Sequence, residues 1–217
     1  MANKKPGDKG LRNTVIGTVV FMVVALSGVV AYSNSSKNAS LPGGTSSKDN
    51  YGIVFNSSGK PQVDIWEDFQ CPICHTFEGI NNSYINELAS GGKVKVVFHT
   101  MSFIGAESVI AANAGACANA EGKFIQFHKA LYEDQSTTEN SGHWNSAAMI
   151  ALGKKVGINS SGFASCVNNS KYSGWVQKIE DNAGKKNVNA TPTIFINGKV
   201  MTEVRILLIL GGHVTYF

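Results

Sequence analysis

Residues 62–75 read Gln62-Val63-Asp64-Ile65-Trp66-Glu67-Asp68-Phe69-Gln70-Cys71-Pro72-Ile73-Cys74-His75. From Gln62 to Phe69 the segment alternates polar and apolar, with Val63, Ile65 and Phe69 in one register, which is a strand signal. Pro72 is tolerated at the first position of a helix. Beyond it Phe77, Ile80, Tyr84 and Leu88 share one helical face until Gly91-Gly92 ends the run. The spacing therefore predicts that Cys71 caps a helix at the end of a strand, its sulfur facing unpaired N–H groups and the positive end of the helix dipole. Both favour the thiolate. A free thiol ionises near a pKa of about 8.5, and cysteines in CxxC motifs fall to about 3.5–7. Thiols three residues apart on one helix lie about 5–6 Å apart at Cα, within disulfide reach. Such a pair serves as a redox dithiol, as half of a metal site or as a haem attachment point.

The chain has 217 residues and a formal charge of +4. Its length suits one domain with an appended segment. Lys4, Lys5, Lys9 and Arg12 oppose one acid, Asp8, in residues 1–13, and residues 14–32 then run without a charge. As a helix that run is about 28 Å long, close to the hydrocarbon thickness of a bilayer. It reads as a signal anchor with the basic flank cytoplasmic and everything beyond residue 32 outside. A cleavable signal peptide, with Val29-Val30-Ala31 as its processing site, is the rival reading. Removing the basic residues and the acid of this segment leaves 15 basic against 14 acidic. The external part is nearly neutral, which argues against a nucleic-acid surface. Residues 33–50, rich in Ser, Asn and Gly, predict a flexible tether.

Four cysteines follow the apolar run: Cys71, Cys74, Cys117 and Cys166. Residues 106–118 read as a helix with Ile110, Ala114 and Cys117 on one face. Residues 160–168 read as another, with Phe163, Cys166 and Val167 clustered. Outside the cytoplasm a structural bridge between Cys117 and Cys166 is expected, against two unlinked buried thiols as the alternative. Further on, Asn189-Ala190-Thr191-Pro192-Thr193-Ile194-Phe195-Ile196-Asn197-Gly198-Lys199 predicts a strand from Thr193 to Ile196. Asn197-Gly198 is a two-residue hairpin turn, and the return strand starts at Lys199. Between a strand at residues 94–100 and this hairpin, residues 106–186 show only helical periodicity. Phe124, Phe127, His128 and Leu131 share a face, as do Met149, Leu152 and Val156, and then Trp175, Ile179 and Ala183. His128 reads as a core-edge residue.

A strand, a CxxC, a helical middle and then Thr-Pro-Thr-Ile-Phe-Ile-Asn-Gly together resemble the DsbA-like branch of the thioredoxin superfamily over residues 51–203. The resemblance implies an α/β thioredoxin-like fold with a helical insertion at about 106–186. It implies extracytoplasmic thiol–disulfide exchange that introduces disulfides into secreted or surface polypeptides. Cys71 would be the exposed, attacked sulfur and Cys74 its buried partner. The Thr191-Pro192 bond would be cis and face them, and Thr191, Ile73 and His75 would line the client site. A membrane oxidase of the DsbB or VKOR type would regenerate the protein, without a metal or organic cofactor. Isomerisation or reduction on the same scaffold is the alternative direction.

The sequence departs from the family pattern in three places. Pro72-Ile73 replaces the proline–histidine pair of many members, which predicts a less strongly oxidising disulfide, with His75 placed to compensate or simply to face solvent. The position six before Cys71, where some relatives carry a buried acid, is Ile65, flanked by Asp64, Glu67 and Asp68. A proton-transfer role for an acid is therefore not expected. Residues 204–217, with five consecutive large aliphatics and two glycines, lack the closing amphipathic helix of the family and read as an atypical, truncated tail.

Cys71-x-x-Cys74-His75 also matches the c-type haem pattern, with His75 as axial ligand. That reading explains neither the preceding strand nor the Thr191-Pro192 hairpin. A structural zinc site wants two close ligand pairs, and Cys117 and Cys166 each stand alone. A non-catalytic binding domain of the same fold is the remaining class.

Overall fold

The computed structural model describes residues 39–201. The expected cytoplasmic segment 1–13, the anchor 14–32 and the tail 204–217 lie outside the described residues. Among the described residues, no helix is long and apolar enough to cross a membrane.

Five strands form one mixed sheet in the order β1-β3-β2-β4-β5. They are β1 (Ile53–Phe55), β2 (Gln62–Asp68), β3 (Lys95–Met101), β4 (Thr193–Ile196) and β5 (Lys199–Val200). β2 and β3 run parallel, with Val63 opposite Val96 and Ile65 opposite Phe98, and the other pairs are antiparallel. The parallel pair is joined by α1 (Pro72–Ser90), the crossover such a connection requires. Five helices stand between β3 and β4: α2 (Ala106–Ala120), α3 (Phe124–Glu133), α4 (Ser146–Lys155), α5 (Ser161–Asn168) and α6 (Ser173–Lys185). The architecture is thioredoxin-like, with this helical block inserted before the closing hairpin.

β2 is buried on both faces rather than one. Its alternation puts Val63, Ile65 and Glu67 on one side and Asp64, Trp66 and Asp68 on the other. This second face is covered by partners the sequence does not juxtapose: His99 stacks on Trp66, ring centroids 3.9 Å apart, and its Nε2 lies 3.1 Å from Asp64 Oδ1. The buried face of α1 is also rotated from the expected one. Ile80 is 57% exposed and Tyr84 only half-buried, while Cys74, Phe77, Glu78, Asn81, Ile85 and Ala89 turn inward. Two polar residues, Glu78 and Asn81, interrupt the apolar stripe, which is why the periodicity misleads there. Asn81 Nδ2 donates to Phe77 O at 2.8 Å, while its buried Oδ1 has no partner among the described residues.

Residues 39–50, expected as tether, are folded onto the domain. A short 3₁₀ turn covers Ser47–Asp49, Asp49 pairs with Lys95, and Asn119 Nδ2 donates to Gly43 O at 3.0 Å. These contacts are polar and long-range, so a composition poor in apolar residues does not reveal them. At the other end Asn197 and Gly198 take φ values of 49° and 77°, the left-handed pair that a tight two-residue hairpin demands.

Phe163 on α5 packs against Phe127 of α3, and a disulfide joins Cys117 of α2 to Cys166 of α5 with Cα atoms 5.9 Å apart. The bridge closes a loop of 49 residues, worth about 4 kcal/mol on the chain-entropy model. Replacing both Cys117 and Cys166 with alanine is expected to lower the urea-unfolding free energy by about that amount while leaving far-UV circular dichroism unchanged.

Candidate active site

The turn from β2 into α1 carries the dithiol. Cys71 N donates to Asp68 O and His75 N to Cys71 O, each at 3.0 Å, so the backbone passes from strand into helix with no slack residue. Cys71 is the N-cap of α1 and Pro72 occupies its first position. As N-cap, the sulfur of Cys71 accepts from Cys74 N at 3.4 Å, doing with sulfur what a serine cap does with oxygen. On its other side it lies 3.5 Å from Thr191 O, to which the protonated thiol donates. Thr191-Pro192 is cis and presents this loop to the dithiol from the start of β4.

Both cysteines are free thiols in this structure. Cys71 is 8% exposed and Cys74 0%. Cys71 is therefore less open than an exposed nucleophile, with the Thr191 carbonyl lying against its sulfur. Ile73, by contrast, is 65% exposed, and His75 points to solvent. His75 Nδ1 lies 3.2 Å from Gln135 Oε1.

The two sulfurs are driven apart electrostatically. The hydrogen bond from the Cys74 thiol lowers the pKa of Cys71 to about 5, with Thr191 and the N–H groups of Cys74 and Ile73 adding to it and partial burial opposing it. Burial pushes the Cys74 thiol strongly up, and the bond it gives to Cys71 and the nearby Glu67 charge push it further. One sulfur is ionised at neutral pH and its neighbour stays protonated.

Beneath Cys74 lies a buried polar cluster that sequence reading missed. Expected at the core edge, His128 is fully buried, and its Nε2 donates to Glu67 Oε1 at 2.5 Å. Its Nδ1 lies 3.9 Å from Glu78 Oε2. Burial alone would lower the pKa of His128, but the carboxylates of Glu67 and Glu78 outweigh it and raise it. Burial raises Glu78 to about 7, partly offset by His128. One atom from each of Glu67, Glu78 and His128 falls within 4.8 Å of the others, the one grouping among the described residues close enough to share an ion. The 2.5 Å approach of Nε2 to Glu67 is that of a charge-assisted hydrogen bond rather than of two ligands around a cation. Asp68 accepts from Ser108 Oγ at 2.6 Å, Gln70 N at 2.9 Å and Ile104 N at 3.2 Å, and burial still lifts its pKa to about 6. These acids sit four and three residues before Cys71, not six. Periodicity carries no sign of them, because their partners come from α2 and α3.

The competing chemistries fit poorly. Attachment of haem needs both sulfurs accessible, and Cys74 is 0% exposed. A zinc site cannot draw on Cys117 and Cys166, whose sulfurs are bonded to each other. A low-pKa sulfur beside a neutral, shielded one suits thiol–disulfide exchange.

Comparison with known proteins points the same way. A family model described as thioredoxin matches residues 53–206. Disulfide bond formation protein D of Bacillus subtilis (strain 168) is 30% identical over 143 residues, 62% of this chain and 62% of that protein. The oxidised crystal structure of BdbD from Bacillus subtilis is 27% identical, with a TM-score of 0.61 over 81% of this chain and 100% of that one. MdbA, a thiol-disulfide oxidoreductase from Actinomyces oris, matches in fold with a TM-score of 0.69 at 23% identity, covering 82% and 91%.

The split between the sulfurs is directly measurable. In the reduced protein, absorbance at 240 nm should titrate with a midpoint near 5, and Cys71→Ser should abolish that transition. Because the folded pKa lies below that of an unfolded thiol, the thiolate stabilises the reduced fold fully above about pH 9, and this is lost as pH falls towards 5. The stability difference between reduced wild type and reduced Cys71→Ser should therefore grow between those pH values and be flat below them.

Proposed function

This chain belongs to the thioredoxin family, and from that premise we propose that it is an extracytoplasmic thiol–disulfide oxidoreductase that introduces disulfides into secreted or surface polypeptides. The observation that carries the reading is the unequal pair of sulfurs beside the cis Thr191-Pro192 loop. The relative named for disulfide bond formation supports the direction. Residues 14–32, long and uncharged, support a membrane anchor, and the Cys117–Cys166 bridge supports an oxidising compartment.

In the oxidised form Cys71 and Cys74 share a bond. A client thiolate attacks Sγ of Cys71; the S–S bond breaks, and its electron pair leaves on Cys74, which takes up a proton. A second client thiolate then attacks the client sulfur of the mixed disulfide and expels Cys71 as a thiolate. The client loses two electrons and the enzyme gains them. The low pKa of Cys71 makes it the better leaving group in the second step. Thr191, with its backbone beside Cys71, and exposed Ile73 and His75 form the rim against which an extended client lies. Pro192, lacking an N–H, has no backbone donor to give to the sulfur beside it. No cofactor takes part, and a membrane oxidase of the DsbB or VKOR type restores the bond.

A Cys71 pKa of about 5 lies between the values of about 3.5 and about 7 found at strongly oxidising and reducing CxxC sites. The potential is accordingly expected between about −120 and about −270 mV. Refolding of reduced ribonuclease tests the function. Cys71→Ala should abolish disulfide formation, and Cys74→Ala supplied with oxidised glutathione, which is reduced as Cys71 is oxidised, should accumulate a mixed disulfide on Cys71. Full activity in Cys71→Ala would refute the assignment.

A further inference from the structure

Gln135 follows the end of α3, in the insertion and far from the CxxC in sequence, yet its side chain grips the turn that carries the dithiol. Its Nε2 donates to Phe69 O at 2.6 Å and to Cys71 O at 3.1 Å. Its Oε1 faces His75 Nδ1 at 3.2 Å. The two carbonyls accept only, so they fix the amide orientation: nitrogen towards the turn, oxygen towards the imidazole. An amide oxygen also only accepts, so Nδ1 of His75 must carry the proton. One side chain thus determines the tautomer of the residue after Cys74 and caps two carbonyls flanking Cys71. Tyr132, one turn earlier, adds a second tie by donating to Asp68 O at 3.4 Å.

We propose that Gln135 is a positioning residue for the thiol–disulfide reaction, coupling the helical insertion to the Cys71 sulfur through the Phe69 and Cys71 carbonyls and the His75 ring. This rests on the reading of Cys71 as the attacked sulfur. The physical basis is local. Without the amide N–H groups, the Phe69 carbonyl loses its Gln135 donor and the Cys71 carbonyl keeps only His75 N, so more negative dipole lies beside the place where the thiolate must sit, and the N-cap geometry of Cys71 loses its brace. A carboxylate at the same position would reverse the charge pattern outright. The insertion therefore acts on the chemistry without touching the sulfur.

Gln135→Leu and the nearly isosteric Gln135→Glu, made in the full chain and studied reduced, provide the test. The thiolate-to-thiol ratio of Cys71 at a fixed pH near its midpoint should fall about threefold in the first and about tenfold in the second, read from absorbance at 240 nm. The equilibrium constant with glutathione should shift in the same order, towards a less oxidising protein. Lys129→Ala, an exposed change on α3, should alter neither. Should Gln135→Leu fail to fold, Gln135→Glu retains the shape of the side chain and carries the test alone. If wild-type Cys71 titrates in the depressed range but Gln135→Glu leaves both readouts within twofold, the role of Gln135 is overturned, even if its melting temperature drops. If wild-type Cys71 titrates as an ordinary thiol, the oxidoreductase reading fails instead.

Discussion

The site depends on a sulfur standing in for an N-cap oxygen. Because Cys71 ends β2 and begins α1, its side chain must lie over the first N–H groups of the helix, where Cys74 N reaches it at 3.4 Å. Everything else around it holds that position. Pro72 starts the helix without wasting a donor, the Asp68 carbonyl ties back Cys71 N, and the Thr191 carbonyl of the cis Thr191-Pro192 loop lies against the sulfur. Moving the thiol by one residue in either direction would place it on the strand or inside the helix, where no unpaired donors remain.

The price of this arrangement is a polar interior under the dithiol. Glu67, Glu78 and His128 are all buried, and they share their charge among themselves rather than with water. The negative end of that cluster lies towards Cys74, so it opposes ionisation there and leaves Cys71 as the sulfur that carries charge. The asymmetry of the pair thus combines the bond from the Cys74 thiol and the helix-terminal donors at one sulfur with burial, that same bond and the Glu67 charge at the other.

Much of the frame was legible because short-range rules govern it. The strand at 62–68, the helix beginning at Pro72, the hairpin at Asn197-Gly198 and the all-helical stretch after β3 each follow from residues within a few positions of one another. What escaped was long-range. The buried face of α1 was misplaced because Glu78 looks solvent-facing until His128 of α3 is brought to it. His128 reads as peripheral until Glu67 arrives from β2, 61 residues away. Gln135 carries no local signal at all, since an isolated glutamine after a helix is ordinary, and its partners lie more than 60 residues upstream for Phe69 and Cys71. Polar contacts between distant segments leave no period in the sequence.

The Cys117–Cys166 bridge has both its ends in the helical block, on α2 and α5, and not at the end of β2 where Cys71 works. Neither of its sulfurs stands at a helix N-terminus, so neither is made the good leaving group that Cys71 is. The molecule can therefore surrender one sulfur–sulfur bond on every turnover and keep the other for its lifetime, separating currency from scaffolding within a single oxidising environment.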